Sequence, residues 1–335
     1  MTTFLAAILV FGLLIATHEF GHFITAKLSK VKVLEFAIGM GPKIFSFTKG
    51  ETDYTLRLLP IGGYVKMLGE EDGSDDPRAF CNQNPWKRLL IIVAGAAFNI
   101  ITAIVIFTLV FYNQGSIKPI VSSVDKNYPA YEAGILPNDK IIQINNEKIR
   151  TWNEVIMFIS ENKEKPFNVK VERNNTIKEI KLSPKYNEKE KRYMIGMAPT
   201  LVKGNILEAF KDGFTETFSS IKQMVSFIGT LVTGGASMDS FGGPVAIVDL
   251  SGKAAQAGIW TFLSFVAFLS INLGVLNLIP FPALDGGWVI ILLIEALTGK
   301  KIDQNKIGVL NFIGFALLMA FIVFVTYNDI LRFFK

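Results

Sequence analysis

Phe4-Leu-Ala-Ala-Ile-Leu-Val-Phe-Gly-Leu-Leu-Ile-Ala-Thr-His18-Glu19-Phe20-Gly21-His22-Phe-Ile-Thr-Ala26 is apolar enough to lie in a bilayer, yet it carries the only two histidines of the chain, with Glu19 between them. Residues four apart on an α-helix are offset by about 40° and project side by side, so His18 and His22 can grip one metal ion. Glu19, one residue on, faces a water at the ion's open position. This His-Glu-x-x-His arrangement suits one Zn²⁺ per chain with the glutamate as general base. The competing reading, two histidines satisfied by neighbouring groups, is disfavoured by cost, because three ionisable side chains within five residues are expensive in hydrocarbon.

The rest of the chain supports a membrane setting. Half of its 335 residues are hydrophobic, 19% are charged and the mean hydropathy is +0.38, which is too oily for a soluble chain of this length. Residues 4–26, 89–112, 259–279 and 307–327 are apolar and nearly long enough to cross a bilayer of about 30 Å. The run 288–297 is too short to span and reads as the third helix continuing after a break. The expected class is a multi-span α-helical membrane protein, with transmembrane helices over 1–28, 89–112, 259–298 and 305–330. The first segment lacks a basic leader and an Ala-x-Ala-like cleavage site, so it is expected to stay in the mature protein. The net charge of +5 comes without a basic-aromatic run, which argues against nucleic acid. Lys27, Lys30, Lys32, Lys87, Arg88, Lys300, Lys301 and Lys306 instead mark cytoplasmic loops, placing both termini and residues 113–258 on the opposite side and the His-Glu-x-x-His run toward the cytoplasmic side. The lone Cys81 can form no internal disulfide.

Between the first two spans, residues 29–88 read as short apolar strands and turns punctuated by Gly39, Gly41, Pro42, Pro60, Gly62 and Gly63. Such a hairpin could dip into the bilayer or stand as an ordinary cytosolic pair. Residues 116–185 read as a compact α/β module. In it Thr151 with Glu154 forms a capping box for a helix, and Asn174-Asn175 forms a tight turn. The order of elements around Ala133-Gly134-Ile135-Leu136-Pro137-Asn138-Asp139 resembles a PDZ domain of the bacterial protease type. Residues 200–258 contribute an amphipathic helix and a linker. Leu207, Phe210, Phe214, Phe218, Ile221, Val225, Ile228 and Val232 form its stripe, opposite Glu208, Lys211, Asp212, Glu216 and Lys222. That stripe fits either a membrane surface or a protein core.

A catalytic Zn²⁺ takes three protein ligands and leaves one position open. With the histidines used and one distant cysteine, the third ligand is expected to be a carboxylate. Asp285 is the candidate, in Asn277-Leu-Ile-Pro280-Phe-Pro282-Ala-Leu284-Asp285-Gly286-Gly287, where two prolines and two glycines break a long apolar helix. Freed backbone groups are tolerated at membrane depth only in a polar cavity or within protein. The alternative is that Asp285 merely caps a helix beginning at Gly286.

Taken together, His18-Glu19-x-x-His22 in a first span, Asn277-x-x-Pro280-x-Pro282-x-Leu284-Asp285-Gly286, and a PDZ-like insert between spans resemble the site-2 protease family, in its bacterial regulator of sigma-E protease branch. The resemblance covers nearly the whole chain. It implies an intramembrane zinc metalloprotease acting on single-span membrane proteins, usually after a site-1-type protease has removed their extracytoplasmic part, in a bacterial cell membrane. His18, His22 and Asp285 would carry the metal and Glu19 would be general base and then general acid. The resemblance also implies substrate contacts from Asn277, Pro280 and Pro282, and strand pairing by the hairpin around Gly62, Gly63 and Tyr64. One PDZ-like module stands here where Gram-negative members have two. The rival readings are a membrane-anchored PDZ scaffold whose zinc is structural or absent and a membrane zinc protease of another family, such as a prenyl-protein endopeptidase.

Overall fold

A computed structural model describes residues 2–70, 73–233, 242–300 and 302–333. The chain divides into two compact units, Met1–Ile106 with Met224–Lys335 and, separately, Phe107–Gln223.

The first unit opens with α1 (Thr2–Leu28), which continues without a break through the histidine run. Two long antiparallel strands follow, β1 (Val33–Lys49) and β2 (Thr52–Met67). They are not the short strands expected from their glycines. Gly39, Gly41 and Gly62 adopt φ of +86°, +83° and +84°, so each strand bends where a branched residue would have ended it. Because both strands bend, 53–56 pairs with 35–38 on one side and with 45–48 on the other, while 63–66 pairs with the far edge of 35–38. The result is a ribbon four segments wide made from two strands. Helix α2 (Pro85–Gln114) then begins on a proline at its first position, where the missing N–H is not needed. A Cβ on Gly21 of α1 would come within 2.8 Å of the Ala94 carbonyl carbon of α2, so the two backbones touch there, as small residues permit between membrane helices.

The second unit contains a sheet of strands β3 (Ser116–Val124), β4 (Lys140–Ile144), β5 (Glu147–Lys148), β6 (Phe167–Arg173), β7 (Thr176–Leu182) and β10 (Met197–Val202), in the order β10-β3-β4-β6-β7 with β5 beside β4. Helices α3 (Pro129–Glu132) and α4 (Trp152–Asn162) and a small hairpin, β8 (Lys185–Asn187) with β9 (Arg192–Met194), complete it. Its core gathers Val121, Ile141, Val155, Phe167, Val171 and Ile195. The boundary expected at residue 185 is therefore too early: β10 pairs with β3 and Ile195 is buried in the core. The capping box at Thr151 and Glu154 forms, and Asn174 and Asn175 take φ of +49° and +61° in the β6–β7 turn. Arg173 grips the fully buried Asp139 through two hydrogen bonds of 2.6 Å. Helix α5 (Ile206–Val232) follows. Its polar side docks on the module: Ser116 and Lys118 bond to Asp212, Asn153 to Glu216, and Ser219 to Thr151 and Glu154. Leu207, Phe210, Phe214 and Phe218 remain 44–74% exposed within the structure.

Returning to the first unit, α6 (Pro244–Gln256) is a helix inside the stretch expected to be linker. Asp329 accepts a hydrogen bond from its Ala246 N–H, a long-range cap that no local sequence pattern announces. Helix α7 (Ile259–Asn277), a turn, α8 (Asp285–Thr298) and α9 (Gln304–Phe333) end the chain. Among the described residues α1, α2, α7 and α9 are long and apolar enough to cross a membrane.

Candidate metal centre

The site is assembled from the middle of α1, the facing side of α2 and the turn between α7 and α8. His18 and His22 lie on one face of α1 and are each 8% exposed, their Nε2 atoms 3.2 Å apart. Asp285 Oδ2 stands 3.2 Å from His18 Nε2 and 3.5 Å from His22 Nε2. Donors bonded at about 2.1 Å to a tetrahedral zinc ion are separated by about 3.4 Å, so this triangle fits that ion. Among the described residues these three form the one group of potential metal donors. Buried Asp285 Oδ2 has no hydrogen-bond donor of its own, an arrangement that an anionic oxygen tolerates when a cation takes that place.

Each ligand atom is held from behind. His22 Nδ1 donates to the Ile91 carbonyl at 2.9 Å, which leaves Nε2 with its lone pair toward the centre. His18 Nδ1 lies 3.2 Å from the Asn99 side-chain amide. Gly95, between Ile91 and Asn99 on α2, makes room for both rings: a Cβ there would overlap His22 Nε2 and come within 2.6 Å of His22 Cε1 and 2.8 Å of His18 Cε1. Sequence reasoning missed Asn99 and Gly95. Asn99 had a readable signal, a polar residue in the centre of an apolar span, fully buried here.

Asp285 opens α8, with Leu284 as its N-cap. It therefore does not cap a helix beginning at Gly286. Gly286 and Gly287 let the new helix fold back on the turn, since a Cβ on either would strike the Ile279 or Phe281 carbonyl. The turn closes its own backbone through Ile279 N to Leu276 O, Phe281 N to Ile279 O and Leu284 N to Phe281 O. Pro282 packs where Gly314 leaves space on α9, and Asn311 accepts from Ala283 N at 3.2 Å. At the other end of α8, Arg88 of α2 meets Glu295 at 2.6 Å, both side chains no more than 7% exposed. One ion pair thus ties the helix behind the histidines to the helix that carries Asp285.

The remaining expected residues fall into two groups. Asn277 is at the site, with Nδ2 3.3 Å from His18 Nε2, while Pro280 is exposed on the turn. In the hairpin, Gly63 lies against Glu19: a Cβ on it would come within 3.0 Å of Glu19 Cγ. Tyr64 lies beside it, its hydroxyl bonded by Arg57, whose guanidinium also bonds Glu35 and the Gly41 carbonyl at the bend of β1. Burial raises the Glu35 pKa, but hydrogen bonds from Arg57, Thr55 and Tyr64 outweigh it and bring the carboxyl down to about 2. This cluster pins the bend that brings β2 to Glu19. Cys81 sits in the loop before α2, with its sulfur against Ser74 and Asn82, and supplies no fourth donor.

Comparison with known proteins agrees with this geometry. The profile of peptidase family M50 matches residues 6–321. A Clostridium acetobutylicum protein named only provisionally as a zinc metalloprotease is 47% identical over 97% of this chain and 96% of its own length. The regulator of sigma-W protease RasP of Bacillus subtilis is 34% identical over 100% of this chain and 99% of its own, and zinc metalloprotease RasP of Geobacillus kaustophilus is 32% identical over the same shares. A solved PDZ domain of an SdrC-like protein from Listeria innocua matches 26% of this chain and 96% of its own at 25% identity, with a TM-score of 0.23. With the profile spanning most of its length, the chain belongs to peptidase family M50, and it is a membrane zinc metalloprotease.

Proposed function

We propose that this protease hydrolyses a peptide bond within or beside the transmembrane segment of single-span membrane proteins, with His18, His22 and Asp285 as zinc ligands and Glu19 as general base and acid. The observation that carries it is the convergence of three donor atoms from two helices remote in sequence, with the orphaned Asp285 oxygen among them and Glu19 alongside. Zinc, when bound, polarises the scissile carbonyl and acidifies a water. Glu19 takes the proton of the attacking water and passes it to the leaving amine. A helical substrate must first lose its internal hydrogen bonds. Among the described residues the segment of β2 from Gly63 to Met67 pairs with β1 on one side only, so its other edge suits an added strand, and it runs past Glu19. Asn277, with Nδ2 3.3 Å from His18 Nε2, and the Pro280–Pro282 turn are proposed to hold the same strand.

The PDZ-like module, both termini and α5 are proposed to lie outside the cytoplasm, a reading supported by the lysine distribution. With its polar face fixed to the module, the apolar stripe of α5 suits the bilayer surface. Substrates are proposed to be anti-sigma factors or signal-peptide remnants already trimmed by a first protease; the Bacillus relative is named a regulator of sigma-W protease. The deciding experiment is Glu19→Gln: zinc content is expected to stay at one per chain while cleavage of a model transmembrane substrate falls by about 10²–10⁴-fold. Undiminished cleavage rejects the assignment.

A further inference from the structure

Asn99 touches His18 on the side away from the metal-binding face, and its hydrogen bonds have two self-consistent solutions. In one, Nδ2 donates to His18 Nδ1 across 3.2 Å and Oδ1 accepts from the Thr17 hydroxyl at 3.0 Å. A neutral imidazole that accepts at Nδ1 carries its proton on Nε2. That proton would point toward Asp285 Oδ2 and His22 Nε2, each 3.2 Å away, and His18 would have no lone pair for an ion. In the other solution the amide is turned by half a turn. Oδ1 then accepts from His18 Nδ1–H, and Nδ2 donates to Thr17 Oγ1. Thr17 stays satisfied, because its own proton goes to the Leu13 carbonyl at 2.9 Å. His18 Nδ1, the Asn99 amide and Thr17 are then all paired, and Nε2 keeps its lone pair on the side of Asp285, His22 and the Asn277 amide.

We infer that Asn99, backed by Thr17, is the positioning residue that holds His18 in its metal-binding tautomer. The inference rests on the ligand reading above. Asn99 is built for this duty. It is fully buried, Ser270 of α7 donates to its backbone carbonyl at 2.8 Å, and a Cβ added at Gly274 of α7 would stand 3.4 Å from its Cβ. The two histidines are thus oriented by different means, His22 by a backbone carbonyl that no substitution removes and His18 by a side chain that one substitution can.

The test compares zinc affinity, by competition with a chromogenic chelator, for the full-length detergent-solubilised wild type and for Asn99→Leu, Asn99→Asp, Thr17→Val and His18→Ala. The melting of each metal-free protein is recorded beside it. Leucine keeps the branched shape, with somewhat bulkier ends, and has no acceptor, so zinc affinity is expected to fall about 10–100-fold while the metal-free protein still melts cooperatively. Aspartate can only accept, so Asn99→Asp is expected to bind zinc at least as tightly as wild type. Loss of affinity in Asn99→Asp equal to that in Asn99→Leu overturns the inference, because it means the amide is needed as a donor. Should the leucine variant not fold, the aspartate and Thr17→Val variants decide alone, the latter expected to weaken zinc by a smaller factor. Wild-type affinity in Asn99→Leu overturns the inference while leaving the ligands in place. Wild-type affinity in His18→Ala removes the ligand reading and this inference with it.

Discussion

Gly95→Ala adds one methyl group at the most crowded point of the centre. In a helix interior alanine is favoured over glycine by about 1 kcal/mol, so propensity alone predicts stabilisation. The structure predicts the reverse sign. The new Cβ overlaps His22 Nε2 and lies 2.6 Å and 2.8 Å from ring carbons of His22 and His18. Relief comes only by turning a ring, which moves a ligand nitrogen, or by parting α1 from α2 where Gly21 already touches Ala94. Overpacking of this kind costs about 1–3 kcal/mol, so the metal-free protein should lose up to about 2 kcal/mol after the propensity gain. The larger effect is on the metal. At a free zinc concentration 100 times Kd, binding stabilises the wild type by about 2.7 kcal/mol, and this increment should vanish in Gly95→Ala. The assay is unfolding in detergent with and without buffered zinc, beside zinc content after dialysis. Gly12→Ala is the control: it lies on α1, the helix that carries the histidines, yet a Cβ there meets nothing within 4 Å, so it should keep the full zinc increment. A Gly95→Ala protein with wild-type zinc content and increment would refute the packing argument.

Other substitutions probe the rest of the site. Asp285→Asn should retain the fold but reduce zinc content and cleavage together, read by metal analysis and a model substrate, since a neutral amide is a poor zinc ligand; survival of both would remove Asp285 from the ligand set. Arg88→Met alone should destabilise by about 3–5 kcal/mol, because it strands the buried Glu295 charge, whereas Arg88→Met with Glu295→Met should recover most of that loss. Denaturation of the two variants separates the outcomes. Glu35, held at about 2 when folded against an ordinary value of 4.5, contributes stability that is present above about pH 4.5 and disappears as pH falls toward 2. The advantage of wild type over Glu35→Gln should shrink across that window, and a flat difference would show that Arg57 does not hold the carboxylate.

The sequence alone was enough for the parts whose physics is local. Helical spacing puts His18 and His22 side by side, hydrocarbon cost makes their cluster functional, and the apolar runs locate the membrane-length helices. Thr151 with Glu154, and Asn174 with Asn175, announce their own cap and turn. Tertiary structure decided whatever depends on residues far apart in the chain. Asp285 lies 263 residues beyond His22, and only the packing of α8 behind Gly286 and Gly287, tied to α2 through Arg88 and Glu295, brings its oxygen to the imidazoles. Glycines 39, 41 and 62 looked like strand ends because pattern reading cannot tell a bend from a stop, and the distinction depends on pairing partners further along. The α6 helix was hidden because its cap is supplied by Asp329 on α9. Gly95 was invisible as a site residue for the same reason, and Asn99, legible only as a polar residue in an apolar span, takes its role from the contact with His18 and not from the local pattern.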